Sequence, residues 1–335
     1  LVGSVVAALA STMGTLIAGR ALQGLGAGGL IALALSIIGD IIPPRERGRY
    51  QGYFGAVFGI ASVAGPLLGG WFTDGPGWQW IFWLNVPIGV AALVVTTVAL
   101  KMPMVRREHT IDYLGASLVV AAVSSLLLYL SWAGPSASYG WGAPLSLALL
   151  GASVVFTALF VLVESRVAEP ILPLRLFSSR VFSWTALYAT IMGLAMFGAI
   201  IFMPIYLQVV QGFSPTKSGL ALLPMVLGLF ATSISAGQVM SRTGRYKIFP
   251  ILSSVVTAGA LLLLSTLSTD TPYWTVGLFV FVLGAGLGLS MQIVITAVQN
   301  DVDRRDLGAA TSGVTFFRSL GGAIGVALFG AVLNS

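Results

Sequence analysis

Long apolar stretches separated by short polar breaks follow one another along the whole chain. Most of them reach the roughly 20 apolar residues that a helix needs to cross a bilayer. They predict eleven membrane-spanning helices, the first of them partial, at 1–12, 15–40, 50–73, 79–100, 111–132, 143–163, 182–208, 216–240, 248–267, 273–298 and 308–333. Because every break is short, we expect consecutive helices to be antiparallel neighbours.

Composition supports a membrane setting for these helices. The 335 residues are 57% hydrophobic and only 8% charged, whereas an average soluble domain carries about 25% charged residues. The net charge of +6 could suggest nucleic acid as a partner. The basic residues, however, lie in separate short loops between apolar spans, so we expect membrane lipids and no nucleic acid as partners. The predicted fold class is an all-α integral membrane bundle.

The sequence offers little catalytic chemistry. It contains no cysteine and a single histidine, His109, which lies in a basic predicted loop. The carboxylates Asp40, Asp112 and Glu164 fall at the ends of predicted spans rather than deep within them. Hydrolysis inside a bilayer would need a nucleophile with a base, paired acids or metal ligands. We therefore expect no enzyme, no catalytic residues, no metal site and no organic cofactor.

Basic residues are distributed very unequally between the two sets of alternating loops. One set holds Lys217 alone, and Arg20 and Arg318 lie within predicted spans. The other set holds Arg45, Arg47, Arg49, Lys101, Arg106, Arg107, Arg166, Arg175, Arg180, Arg242, Arg245, Lys247, Arg304 and Arg305. Since cytoplasmic loops are enriched in lysine and arginine, this predicts a multi-pass protein of the cell (cytoplasmic) membrane with its basic loops in the cytoplasm.

An internal repeat relates residues 24–70 to residues 284–330. At an offset of 260 residues, Gly24, Gly26, Gly28, Arg45, Gly48, Gly65 and Gly70 meet Gly284, Gly286, Gly288, Arg305, Gly308, Gly325 and Gly330. Transporters are often built from repeats, with the substrate path between the halves. We expect three regions: the remainder of an N-terminal helical half at 1–104, a two-span insert at 105–178, and a C-terminal half at 179–335.

Four segments together resemble a known transporter family. They are LIAGRALQGLGA at 16–27, GPLLGG at 65–70, WIFWLNVPIG at 80–89 and GQVMSRTGRYK at 237–247. Their order and content are similar to the major facilitator superfamily, and specifically to its fourteen-span drug/proton antiporter branch (EmrB/QacA-like). The resemblance covers nearly the whole chain. It implies a bundle of two pseudo-symmetric halves plus a two-helix insert, with about 11 of 14 spans present and the chain truncated at both ends.

The resemblance also implies roles for particular residues. Arg20 and Gln23 would take part in proton coupling. Gly52, Gly65, Pro66, Gly69 and Gly70 would form the antiporter motif that changes conformation. Gly237, Arg242, Gly244 and Arg245 would belong to a cytoplasmic loop motif. Protons would be the coupling ion, and the functional unit would be a monomer.

Several polar and soft apolar side chains within the spans are candidates for a substrate cavity: Gln23, Gln292, Arg318, Met196, Phe197 and Tyr206. Arg318 lies near the middle of its span, where an ionisable group points to function. An ion pair that only holds helices together is the alternative for Arg318. Outward snorkelling to the interface is the alternative for Arg20, and lipid-facing filling would explain the methionine and aromatic residues.

The favoured function is proton-driven antiport, by alternating access, that exports lipophilic or cationic drugs. Small glycines four residues apart, such as Gly284 with Gly288 and Gly321 with Gly325, let helices approach closely and suit helices that slide past each other. A proton-coupled importer of a small metabolite on the same fold remains an alternative. So does an inactive, truncated transporter.

Overall fold

The computed structural model describes residues 1–99, 112–132, 140–244, 246–291 and 293–333. Its regular structure, within those residues, is entirely helical. The helices are α1 (Val2–Ala8), α2 (Met13–Ile41), α3 (Pro44–Asp74), α4 (Trp80–Trp83), α5 (Asn85–Ala99), α6 (Tyr113–Trp132), α7 (Pro144–Glu164), α8 (Arg180–Val209), α9 (Pro215–Leu220), α10 (Leu223–Thr243), α11 (Ile248–Leu264), α12 (Tyr273–Gly288), α13 (Ile293–Asp301) and α14 (Leu307–Leu333). Short 3₁₀ turns cover Leu174–Ser178 and Arg304–Asp306.

These helices match the predicted spans. Seven helical stretches in the described residues are long and apolar enough to cross a membrane: Trp80–Val98, Tyr113–Trp132, Pro144–Glu164, Arg180–Val209, Pro215–Thr243, Tyr273–Asp301 and Leu307–Leu333. The long helices α2 and α3 cover two further predicted spans, and α11 is a shorter apolar helix. The chain is therefore a multi-pass, all-α membrane bundle.

Local chemistry explains where several helices begin. The hydroxyl of Thr12 accepts the backbone N–H of Thr15 at the start of α2. Ser179 accepts the N–H groups of Val181 and Phe182 at the start of α8. Such side-chain caps satisfy backbone donors that have no partner within the helix. Ser179 lies in a polar break between two predicted spans, and Thr12 is the last residue of the first predicted span.

Three predicted spans are broken helices in the structure, and the one at 79–100 consists of α4 and α5. The span at 216–240 consists of α9 and α10, and α10 begins with Pro224 in its first turn. The span at 273–298 consists of α12, which ends at Gly288, and α13, which begins at Ile293. In membrane transporters, discontinuous helices typically accompany binding sites. Pro224 lies at the break between α9 and α10, and the polar residues Ser290 and Gln292 lie in the break between α12 and α13, but both segments were predicted as continuous spans.

Glycines allow the tightest helix contacts. A Cβ on Gly284 would overlap the carbonyl oxygen of Met225, and one on Gly288 the carbonyl oxygen of Leu229, so α12 packs directly on the backbone of α10. On α14, a Cβ at Gly321 would overlap the carbonyl oxygen of Thr190 on α8. The close packing predicted for these glycines is confirmed.

The corresponding glycines of α2 behave differently. Among the described residues, nothing lies within 4 Å of a Cβ built on Gly24 or Gly28. The prediction that this pair lets two helices approach closely is therefore wrong for this structure. The reason is geometric, because α2 packs on α1 around Gly19, where a Cβ would lie 2.7 Å from the backbone nitrogen of Ala7, and leaves its Gly24–Gly28 face open.

Helix boundaries follow the sequence repeat. Met13, which begins α2, and Tyr273, which begins α12, are 260 residues apart, and so are Ile41 and Asp301, which end α2 and α13. The two copies differ in one respect, since α2 is continuous and its counterpart is broken after Gly288. The break distinguishes the second copy and lies beside the cavity described next.

Candidate functional site

A small cavity of about 30 Å³ lies among α8, α14 and the break between α12 and α13. A cavity of this size has room for two or three water molecules, since each needs about 10–15 Å³. Its wall is mainly apolar and includes three methionines. The lining residues used below are Tyr188, Met192, Met196, Ser290, Met291 and Arg318.

A hydroxyl network fixes the wall of the cavity at the helix break. Tyr188 Oη lies 2.5 Å from Ser290 Oγ and 2.9 Å from Ser253 Oγ. Ser253 Oγ lies 2.6 Å from the Gly286 carbonyl oxygen, to which it donates. Ser253 and Ser290 are almost completely buried. Because a buried hydroxyl without a partner is costly, this network holds α8, α11 and the end of α12 in one arrangement.

Arg318 supplies the single charge among the described residues that line this cavity. It is half-buried, and its backbone carbonyl lies where a Cβ on Gly193 would be, at the tight crossing of α14 with α8. No ion pair to Arg318 is present among the described residues. The alternative role for Arg318 was an ion pair that joins two helices. No acidic partner for such a pair is present among the described residues.

Arg20 and Gln23 form a separate polar cluster at the contact between α2 and α1. Arg20 Nη1 donates to Gln23 Oε1 at 2.5 Å, and Gln23 Nε2 donates to Ser4 Oγ at 2.9 Å. The guanidinium also lies 6.0 Å from the ring centre of Phe82, within the range of a cation–π contact. The structure brings the two predicted coupling residues together, but it does not place Gln23 in the cavity wall with Arg318.

The residues predicted on α8 lie on different sides of that helix. Met196 is buried and lines the cavity. Phe197 packs against Gly322 and faces a separate groove of about 600 Å³ together with Leu127 of α6. Tyr206 donates through its hydroxyl to the Ser268 carbonyl at 2.8 Å, which anchors the loop after α11. Gln292, predicted for the same cavity, lies outside the described residues.

The antiporter-motif glycines lie on α3, where one of them makes a close contact. A Cβ on Gly70 would lie 3.2 Å from the backbone nitrogen of Thr216, at the start of α9. Thr216 Oγ1 donates to Asp74 Oδ2 at 3.2 Å nearby. Among the described residues, nothing lies within 4 Å of a Cβ built on Gly65, and one built on Gly69 would make an ordinary van der Waals contact. Gly52 and Pro66 lie within the same helix. Gly70 therefore marks the seam between α3 and α9.

The cytoplasmic loop motif closes α10. Gly244 has a φ of +69° and its N–H donates to the Met240 carbonyl, so it ends the helix in a left-handed conformation. Glycine suits this position because other residues rarely adopt it. Gly237 is buried within α10, and Arg242 borders an open cavity of about 460 Å³ beside Tyr246. Arg245 lies outside the described residues.

Sequence analysis missed two groups of polar residues. Tyr188, Ser253 and Ser290 lie in separate segments of the sequence, and only their meeting in space shows a network. Asp112 and Glu164 were expected only to lie at the ends of predicted spans, and the structure shows that both are buried there. A possible signal was the spacing of Asp112 and Gly115, because an acid three residues before a helical glycine can cap the helix.

Comparisons with known proteins agree with this architecture. The sequence profile described as Major Facilitator Superfamily matches residues 1–326. The chain is 46% identical over 332 residues to an uncharacterised MFS-type transporter of Mycobacterium tuberculosis, covering 99% of the chain and 48% of that protein. It is 37% identical over 335 residues to the multidrug transporter protein MdtP of Bacillus subtilis, covering 100% of the chain and 61% of that protein. It is 35% identical to multidrug resistance protein 3 of the same bacterium, covering 64% of it. The chain thus spans between about half and two thirds of the length of these relatives.

Proposed function

This chain belongs to the Major Facilitator Superfamily, and we propose that it acts in a proton-driven exporter of lipophilic compounds, of the fourteen-span drug/proton antiporter type. The observation that carries the proposal is the methionine-lined cavity beside Arg318 at the broken helix α12–α13. Relatives named for multidrug transport or resistance match almost the whole chain. We also propose that the chain consists of the remainder of an N-terminal half at 1–104, a two-span insert at 105–178 and a C-terminal half at 179–335. The basic loops would lie in the cytoplasm.

The cavity of about 30 Å³ has room only for water in this conformation, so we propose that a lipophilic substrate contacts its methionine wall after the surrounding helices move apart. Met192, Met196 and Met291 offer a flexible, polarisable surface that adapts to varied apolar shapes. Arg318 places a positive charge in the same wall, and like charges repel strongly where water is scarce. We therefore propose that neutral or anionic lipophilic compounds are the substrates that contact this cavity. Cationic drugs were also expected from the sequence, and we do not propose these for this cavity.

Arg20 and Gln23 are the proposed coupling residues. A fixed positive charge lowers the proton affinity of a neighbouring acid, so movement of Arg20 relative to an acid would load or release a proton. The hydrogen bonds from Arg20 to Gln23 and from Gln23 to Ser4 hold the guanidinium in a defined place. The membrane potential would add about 2.3 kcal/mol per charge per 100 mV to the driving force.

Transport by the full-length protein in liposomes would test the proposal. Vesicles are loaded with a neutral fluorescent lipophilic dye, an anionic dye or tetraphenylphosphonium, and a pH gradient is imposed. We expect the neutral and anionic dyes to move against the proton flow and tetraphenylphosphonium to move least. Movement of every dye in the same direction as protons would contradict export and support the importer.

Arg20→Ala should reduce gradient-driven dye export to the level of empty liposomes, while the protein still inserts in the membrane. The substitution removes the cation and releases Gln23 from its bond with Arg20. The matched control is Thr15→Ala on the same helix, which removes only a local hydroxyl contact with Thr12. Export that remains at the wild-type level in Arg20→Ala would remove the coupling role.

Gly70→Val should shift the transporter toward the state in which α3 and α9 are apart. A Cβ there needs space that the Thr216 backbone now occupies, and a branched side chain needs more. Gly65→Val is the control because Gly65 faces open space. Accessibility of a cysteine introduced at Asp74 to a membrane-impermeant reagent measures the shift. Equal labelling of the two variants would show that the Gly70 contact does not limit the motion.

A further inference from the structure

Two carboxyl groups, those of Asp112 and Glu164, are buried together at the base of the hairpin that α6 and α7 form. Asp112 directly precedes α6, and Glu164 is the last residue of α7. The exposed fraction is 9% for Asp112 and 3% for Glu164. Acidic side chains are almost never buried to this extent unless they are paired. Neither has a salt bridge among the described residues.

In each carboxyl group one oxygen accepts a backbone N–H, and the other has no hydrogen-bond partner among the described residues. Asp112 Oδ1 accepts the Gly115 N–H at 2.8 Å, and Glu164 Oε2 accepts the Leu172 N–H at 3.1 Å. Asp112 Oδ2 and Glu164 Oε1 are buried with no hydrogen-bond partner among the described residues. A Cβ built on Gly115 would overlap Asp112 Oδ2 and lie 3.0 Å from Glu164 Oε1. The two unpartnered oxygens therefore face the same small space.

Ionised carboxylates only accept hydrogen bonds, so two of them cannot satisfy each other. Two negative charges in the same small space also repel each other. One proton removes both difficulties, because a protonated carboxyl group donates to its ionised neighbour. We propose that Asp112 and Glu164 form a proton-binding site in which the two carboxyl groups share a single proton. The site lies at the foot of the hairpin and does not depend on the proposed exporter activity.

The charged groups around the hairpin offer no better counter-charge within the described chain. Arg166 is exposed, and Arg175 pairs with Asp306 at 2.6 Å. Arg318, on the neighbouring α14, lines the cavity near Tyr188, while Arg180 lines an exposed groove beside Trp184. Glu169 is acidic and adds no positive charge. The segment 100–111, with Lys101, Arg106, Arg107 and His109, lies outside the described residues. The experiment below therefore includes variants that remove positive charge from this segment.

The proton would influence the adjoining C-terminal helices through one backbone bond. The Glu164 carboxyl group accepts a hydrogen bond from the N–H of Leu172. Leu172 belongs to a buried cluster with Phe182 of α8, Val294 of α13 and Val314 of α14. Loss of the shared proton would leave two repelling charges beneath this cluster. We therefore expect the hairpin to be held most firmly to these helices while the proton is bound.

Infrared spectroscopy of the full-length protein in nanodiscs tests for the shared proton. The C=O stretch of a protonated carboxyl group absorbs at a different infrared frequency from a carboxylate, and its band shifts in D₂O. We expect such a band in the wild type near neutral pH, its loss in both Glu164→Gln and Asp112→Asn, and its persistence in Arg106→Gln/Arg107→Gln. No band attributable to the pair, or a band that appears only after the arginines are replaced, would overturn the proposal in favour of an ion pair.

Thermal unfolding distinguishes a proton from a metal cation. The folded pair binds a proton more tightly than the unfolded chain, so apparent stability should fall as the pH rises. In Glu164→Gln the amide donates to Asp112 Oδ2 permanently, and the pH dependence should flatten. Asp112→Asn provides a second test if the first variant does not fold. If Na⁺ or Ca²⁺ instead stabilises the wild type at high pH but stabilises neither variant, the site binds a cation and the proton assignment is wrong.

Discussion

Arg318→Met should abolish dye export, to at least a 100-fold loss, while the protein keeps its fold and its elution profile in detergent. Methionine is close to the aliphatic part of arginine in length and matches the methionines already lining the cavity, so packing is preserved. The substitution removes the single charge among the described lining residues. Initial export rates in proteoliposomes, normalised to inserted protein, measure the effect.

Arg318→Lys separates charge from shape. Lysine keeps the positive charge but lacks the planar group that binds an anion through two hydrogen bonds. We expect export of a neutral dye to survive in this variant and export of an anionic dye to fall. Wild-type export in Arg318→Met would show that the cavity charge has no part in transport, and would leave the helix-packing role.

Gly321→Leu should prevent accumulation of folded protein. A Cβ at this position would overlap the carbonyl oxygen of Thr190 on α8, and a backbone atom cannot turn away as a side chain can. Overpacking of a core typically costs about 1–3 kcal/mol, and more where the backbone must move. Here α14 and α8 would have to separate along much of their contact. Size-exclusion chromatography of a fluorescent fusion measures the folded fraction.

Gly24→Leu is the matched control for this substitution. Gly24 is also a glycine in the middle of a membrane helix, but its Cβ position faces open space in the described structure. We expect Gly24→Leu to accumulate and elute as the wild type does. Equal losses in the two variants would mean that α2 has a close neighbour at Gly24 in the membrane, and equal tolerance would mean that the α8–α14 crossing can open.

The sequence was sufficient to predict the helices, because span length and the hydrophobic requirement of the bilayer leave few alternatives. Ser179, which caps α8, lies in one of the polar breaks that separated the predicted spans. The break after Gly288 was not predicted, although Ser290 and Gln292 follow that glycine, because single polar residues also occur within continuous membrane helices. Helix interruption there depends on tertiary contacts, including the hydroxyl network of Ser253 and Ser290.

The candidate site was predicted in part, and the reason lies in rotation about helix axes. Arg318 and Met196 line the same small cavity. Phe197 is turned to another face because successive residues of a helix point about 100° apart, at 3.6 residues per turn. A sequence in which nearly every face is apolar does not show which face points inward. For the same reason Asp112 and Glu164, 52 positions apart, gave no sign that they meet.

The unequal copies of the repeat suggest how such a protein can diversify. In the first copy Leu30 is 71% exposed on an unbroken helix, while its counterpart Ser290 is 1% exposed in the interrupted one. After an ancestral duplication, the first copy could retain the proposed coupling residues while the second copy accumulated changes in ligand preference. New specificities would then arise from mutations around Ser253 and Ser290 without disturbing Arg20, and selection could act on the two tasks separately.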